Sequence, residues 1–282
     1  MRAVYATDLS EAIEAAISSR ICLTCLGRYG IDEIHLVTVT SPNVTTGMPG
    51  SDVGERTKRA LSRQRELLED EGFRVETHVV RGTPHRRING LADQVNADLI
   101  IVGSRGQSPL EKRFIGGTAR DVARTAVRPL LVQRIVAEEG DHAVANEHLF
   151  ERVLYATDFS ENAERAFEQF TFLKDATQEA TLLHVTPPER RSEPEEVEDA
   201  RDRLDELAAR LTELGIDATP MVREGETVSE ILATESAVDP TTILMGARGR
   251  SRIRRLLLGS TSEEVTARAD SNVLLVPPAR VR

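Results

Sequence analysis

The chain has 282 residues, 40% of them hydrophobic and 4% aromatic with no Trp, and carries a formal charge of -10. That acidic balance excludes a protein whose main task is coating DNA, because affinity for a polyanion needs a basic surface; no nucleic-acid partner is expected. The length suits two α/β domains better than one, and so few aromatics predict cores of Val, Leu, Ile and Ala.

In chain order, "MRAVYATDLS" has no long apolar stretch behind a basic start, and no run approaches the roughly 18 apolar residues of a membrane span. A cytoplasmic protein with no membrane contact is therefore expected. Strands are predicted at 3–7, 33–39, 75–81, 99–103 and 129–132, with helices between them. Cys22 and Cys25 form a C-x-x-C inside a stretch with helical apolar spacing, "EAIEAAISSRICLTCLGRYG". With no second pair to complete four metal ligands, they read as core-facing side chains of that helix.

Residues 2–17, "RAVYATDLSEAIEAAI", return at 152–167 as "RVLYATDFSENAERAF". Residues 98–132 return in the same way at 241–276. The chain is thus a tandem repeat: a first domain over 1–135, a polar linker over 136–150 and a second domain over 151–282. The second copy has strands at 153–157, 181–186, 218–223, 242–246 and 272–276. Its helix before the third strand is signalled by Ser192 and Glu195 as a capping box, Pro194 in the first turn and Gly215 as the stop. Val197, Ala200, Leu204, Leu207, Leu211 and Leu214 form that helix's buried stripe. Short, nearly continuous apolar strands alternating with helices predict a five-stranded parallel sheet in each half, doubly wound with strand order 3-2-1-4-5 and a flavodoxin-like outline.

After the fourth strand each half carries G-x2-G-x9-G. The glycines are Gly103, Gly106 and Gly116 in the first half, and Gly246, Gly249 and Gly259 in the second, where Ser260, Thr261 and Ser262 follow. Ligands of open α/β sheets collect beyond the strand tips where the order reverses. A glycine there exposes bare backbone, and the amides opening the next helix attract anions, so the pattern can cradle phosphates without a lysine. A second reading fits too: Ser260 and Glu263 make a capping box, and the glycines punctuate a loop. Asp8 and Asp158, just past the first strands, either accept ribose hydroxyls and help hold magnesium, or cap the first helix. Arg248, Arg250, Arg252, Arg254 and Arg255, echoed by Arg105, Lys112 and Arg113, either neutralise a triphosphate or pair with the acidic surface.

These residues resemble the universal stress protein family in a tandem, two-domain form. The resemblance covers almost everything outside the linker. It implies a stress-response protein that binds ATP, with Mg2+, the triphosphate lying on Gly246, Gly249, Gly259 and Ser260, assisted by Thr261 and Ser262. The adenosine would lie near Ala156, Thr157, Asp158, Val185 and Met245. In the first half Ala6, Thr7, Asp8, Val39, Gly103, Gly106 and Gly116 correspond. There Gly117 replaces the serine, with Thr118 one place later, so the second half is expected to bind better, by about one hydrogen bond or 1 kcal/mol. The resemblance also implies that the two halves pair through their last strands as a pseudo-dimer, with further homo-oligomers open.

No general base or nucleophile is evident beside the γ-phosphate position, so a regulatory binding module is favoured over a slow ATPase or nucleotide-dependent transferase. A dimerisation module without nucleotide is the third class. A receiver domain would need a late lysine that "LLVQR" and "LLVPP" lack.

Overall fold

The computed structural model describes residues 1–40, 53–104, 115–138, 141–187, 194–249 and 258–279. The chain divides into two units, Met1–Glu147 and His148–Arg282.

The first unit runs β1 (Arg2–Thr7), α1 (Glu11–Ser18), α2 (Arg20–Arg28), β2 (Glu33–Thr40), α3 (Val53–Asp70), β3 (Arg74–Arg81), α4 (Pro84–Gln94), β4 (Leu99–Gly103), α5 (Gly117–Thr125), β5 (Leu130–Gln133), β6 (Ile135–Glu138) and β7 (Asp141–Val144). The second unit runs β8 (Arg152–Thr157), α6 (Glu161–Phe167), α7 (Phe170–Leu173), β9 (Glu179–Thr186), α8 (Pro194–Glu213), β10 (Asp217–Glu224), α9 (Thr227–Val238), β11 (Thr242–Gly246), α10 (Ser260–Arg268) and β12 (Asn272–Val276).

Strand order is β3-β2-β1-β4-β5 in the first unit and β10-β9-β8-β11-β12 in the second. Every pairing within these two runs is parallel. The predicted 3-2-1-4-5 order is therefore found twice. Its central strands are buried almost throughout, as strands covered on both faces must be. Aliphatic side chains such as Ile34, Leu36, Ile100, Leu182 and Leu244 supply most of that burial. The few aromatics are concentrated inside as well: Tyr5, Tyr29 and Tyr155, all the tyrosines of the chain, are buried, and Tyr155, Phe167 and Phe170 pack edge to face. Composition alone does not place them.

Three local features differ from expectation. The C-x-x-C stretch is two helices, α1 and α2, because Ser19 leaves helical geometry (ψ 99°) and caps α2, its hydroxyl accepting from Cys22 N–H. Both thiols are nevertheless buried, and neither forms a disulfide. The stretch expected to be irregular, 136–150, contributes to the antiparallel ladder β6-β7. The capping box of α8 falls on Ser192 and on the Glu195 side chain, which lie outside the described residues. Of the stripe on α8, Ala200, Leu204, Leu207 and Leu211 are buried, while Val197 and Leu214 are partly exposed. Gly215 ends the helix in the left-handed region (φ 80°), where only a glycine sits without strain.

Candidate functional site

The site begins with the turns that leave β1 and β8. In "ATDFS" the Thr157 hydroxyl accepts from Phe159 N–H at 2.9 Å, Asp158 Oδ1 accepts from Ser160 N–H at 3.0 Å, and Ser160 caps α6 by accepting from Ala163 N–H. Thr7, Asp8 and Ser10 make the same three bonds in the first half. Phe159 and Leu9 are thereby held at positive φ, 58° and 61°. Bulky residues adopt that region only where surrounding bonds over-determine it. The serine is thus the cap of each first helix, and the aspartate supports it by accepting from the serine's own N–H with one carboxylate oxygen. The other oxygen of Asp158 faces Gly249: a Cβ built on that glycine would lie 2.7 Å from Oδ2.

Gly246 also has a packing role. A Cβ there would lie 3.1 Å from the backbone carbon and the Cγ of Asn162 and from Arg248 O, so its missing side chain lets α6 approach β11 and does not simply open a path for ligand. Asn162 secures that approach. Its Nδ2 donates to Val276 O at 2.9 Å and its Oδ1 accepts from Arg248 N–H at 2.8 Å. The first half has Ala12 at this position.

At the far side of the glycine pattern, Gly259 N–H donates to Ala247 O (2.7 Å) and Gly116 N–H donates to Ser104 O (2.8 Å), so both halves close the loop at the same point. Gly259 is the N-cap of α10 and Ser260 its first residue, with no side-chain cap bond. The capping-box reading of Ser260 and Glu263 fails because the glycine backbone already takes the cap position (φ -79°, ψ 156°). Among the described residues no side chain caps the first amides of α10, and Gly259, Ser260 and Thr261 line the crevice. Ser262 is turned inward: buried, it donates its hydroxyl to Gly246 O at 2.9 Å and ties the helix to the strand tip.

Between these elements lies a cavity of about 1010 Å³. Its lining includes Ala156, Thr157, Asp158, Val185, Met245, Gly246, Gly249, Gly259, Ser260, Thr261 and Ser262, every position expected in the second half. It also includes residues that sequence reasoning missed. Phe159 packs on His184, ring centroids 4.5 Å apart, and Arg203 of α8 lies 4.1 Å above the Phe159 ring. The His184 ring Nδ1 lies 2.9 Å from Thr157 O, which fixes a donor there. Ile231 closes the apolar wall, and Glu196 and Asp199 bring carboxylates from α8. Only Phe159 carried a sequence signal, as the neighbour of Asp158. At the glycine end, Arg248 lines the cavity, and its buried Nε finds no partner among the described residues. A buried guanidinium nitrogen left in that state favours an anion beside it.

In the first half Asp8, Ala6, Val39, Gly103 and Gly116 occupy the corresponding tips, partly exposed, while Gly117 and Thr118 are exposed at the start of α5. Thr7 is committed elsewhere: buried, it donates to Gln64 Oε1 of α3 at 2.8 Å while accepting from Leu9. Gly106, Arg105, Lys112, Arg113, Arg250, Arg252, Arg254 and Arg255 lie outside the described residues. Cys22 takes no part in any such chemistry. Burial pushes its thiol up to about 11, and it donates to Glu147 O at 3.0 Å. Among the described residues no helix is long and apolar enough to cross a membrane.

The profile of the Universal stress protein family matches residues 1–134 and again 149–277. The chain belongs to the universal stress protein family. A universal stress protein of Methanocaldococcus jannaschii is 26% identical over 148 residues, 46% of this chain and 91% of that one. Another, of Mycolicibacterium smegmatis, is 26% identical over 219 residues, 75% of this chain and 72% of that protein. The crystal structure of a universal stress protein from Archaeoglobus fulgidus superposes with a TM-score of 0.74 at 25% identity, covering 98% of this chain and 97% of that one. This universal stress protein therefore shares its two-unit frame with a solved relative along nearly its whole length.

Proposed function

We propose that the second half binds ATP with Mg2+ and that the protein is a nucleotide-responsive regulator of the stress response. One observation carries the reading: a single cavity is lined both by phosphate-binding groups and by an apolar, aromatic wall. The amides of α10, which no side chain caps among the described residues, the hydroxyls of Ser260 and Thr261, and Arg248, whose buried Nε has no partner among them, suit phosphate oxygens. Val185, Met245, Ile231 and the Phe159–His184 pair suit a flat base, and the Asp158 carboxylate in the same lining suits a ribose hydroxyl.

The function proposed is binding, not turnover. Asp158 belongs to the sugar side and is already tied to Ser160 N–H, so hydrolysis by this site would be slow. The first half is proposed as the weaker site, because Gly117 offers no hydroxyl where the second half has Ser260.

The test is to denature the protein purified from its host, identify any released nucleotide by mass, and titrate stripped protein with ATP and magnesium. Release or uptake of ATP, lost in Arg248→Ala, supports the reading. No nucleotide released and none taken up overturns it.

A further inference from the structure

On the same face of the first unit's sheet, far along the chain from any glycine motif, two parallel strands bring three metal-ligating side chains together. His35 of β2 stands in register with Glu76 of β3, and Val37 with His78. His35 Nδ1 lies 3.0 Å from His78 Nε2 and 3.6 Å from Glu76 Oε2, and that oxygen is 4.0 Å from His78 Nε2. These are the three ligand atoms of one compact cluster.

We propose that His35, His78 and Glu76 bind a divalent transition metal of the zinc type, with solvent as the fourth ligand and Glu33 as a positioning residue. Zinc takes nitrogen at about 2.0–2.1 Å and carboxylate oxygen at about 2.0–2.2 Å, so the edges of a tetrahedral site are roughly 3.3–3.5 Å. The present triangle brackets that size. Closing it needs a small inward swing of Glu76, whose side chain is 68% exposed and able to move.

Glu33 makes the set directional. Its Oε1 lies 2.9 Å from His35 Nε2, and a carboxylate can only accept, so the ring proton is on Nε2 and the Nδ1 lone pair points at His78. A carboxylate behind a histidine in this way is the usual support of a metal-binding imidazole. Glu33 is itself held by Arg2 Nε at 3.1 Å and by Arg74 Nη2 at 3.4 Å.

The fold does not require these residues. The second unit builds the same two strands in the same register, pairing Thr181 with Thr219 and Leu183 with Met221, so His35, Glu76 and His78 are replaced there by Thr181, Thr219 and Met221. The ordinary alternative is a hydrogen-bonded pair of imidazoles without metal.

The experiment uses the full, tag-free chain stripped with a chelator and titrated with Zn2+ against a competing chromophoric chelator. In parallel, Co2+ reports tetrahedral coordination by its visible absorption. One Zn2+ per chain is expected, weakened at least about 100-fold in His78→Gln and about 10- to 100-fold in Glu76→Gln, with the cobalt band lost in the former. Both side chains lie on the solvent side of the cluster, and unchanged circular dichroism checks that the variants fold. Wild-type protein that takes up no Zn2+, or uptake that His78→Gln leaves unaltered, overturns the proposal.

Discussion

Gly249 and Gly246 stand three residues apart in one motif, yet the structure predicts opposite outcomes for the same substitution. In Gly249→Ala the new Cβ meets Asp158 Oδ2 at 2.7 Å, roughly 0.7 Å inside ordinary van der Waals contact. The carboxylate must turn away, giving up its bond to Ser160 N–H at a cost of about 1 kcal/mol. Stiffening the unfolded chain returns about 0.4–1 kcal/mol, so stability is nearly unchanged. If Asp158 accepts from a ribose hydroxyl, losing that charge-assisted bond costs about 1.5–3 kcal/mol of binding, a rise in Kd of about 10- to 150-fold. In Gly246→Ala the Cβ meets backbone atoms of Asn162 and Arg248 at 3.1 Å, and these can retreat only by moving α6 or the strand tip. Overpacking of this kind costs about 1–3 kcal/mol and lowers the melting temperature by several degrees. Isothermal titration with ATP and magnesium, beside thermal melts of both variants, separates the two effects. Gly249→Ala binding ATP as wild type does, or Gly246→Ala melting unchanged, would refute the reasoning.

Asn162→Ala is expected to destabilise the second unit by about 1–3 kcal/mol, because Arg248 N–H and one acceptor site of Val276 O lose a buried partner; urea unfolding with a midpoint equal to wild type would contradict it. Gly117→Ser places a hydroxyl where nothing lies within 4 Å of the new Cβ, and should tighten nucleotide binding in the first half by about 1 kcal/mol, or about fivefold, read as a change in the weaker class of sites. Native Cys22 should resist iodoacetamide at pH 8 and react after denaturation, since its thiol is raised to about 11 by burial. The unfolded thiol ionises first, so the folded state binds more protons between about pH 9 and 11 and loses stability as pH rises through that window. Denaturant midpoints measured across it should fall more for wild type than for Cys22→Ala.

The strand order and the crevice were legible because the sequence states them twice. Two copies of "YATD" and of the three-glycine spacing fix which tips must lie together, and every second-half position inferred from them lines one cavity. The contacts of a missing side chain were not legible. Gly246 announces only that a Cβ is absent; that Asn162 fills the space depends on how α6 packs. Ser260 and Glu263 have the spacing of a capping box, but the backbone of Gly259 enters the helix one residue early, a difference that side-chain pattern does not record. Arg203 reaches the cavity from a helix in which the sequence marks only the buried stripe, and the position of Phe159, fixed by a left-handed turn, gives it a ring to cover. The ladder β6-β7 pairs two strands of four residues each, Ile135–Glu138 and Asp141–Val144, too short for a period to stand out from a linker.

Because the two units share one strand order and the same turns after β1 and β8, the demands of the fold cancel when they are compared, and what differs answers to something else. The second unit has Asn162 and Ser260 where the first has Ala12 and Gly117, all beside the crevice. The first unit has His35, Glu76 and His78 where the second has Thr181, Thr219 and Met221, all on the strand pair. Register alone should then be enough to transplant the donor set. Glu179 already stands at the counterpart of Glu33, so Thr181→His combined with Thr219→Glu and Met221→His should create a second zinc site per chain. All three positions are partly or fully exposed, which lets the new side chains solvate and keeps the change compatible with folding. A folded triple variant that takes up two Zn2+ would show that strand pairing supplies the geometry. If it still took up only one, the donors of the first unit would depend on supports peculiar to it, Arg2 and Arg74 behind Glu33 foremost, and the argument from register would fail.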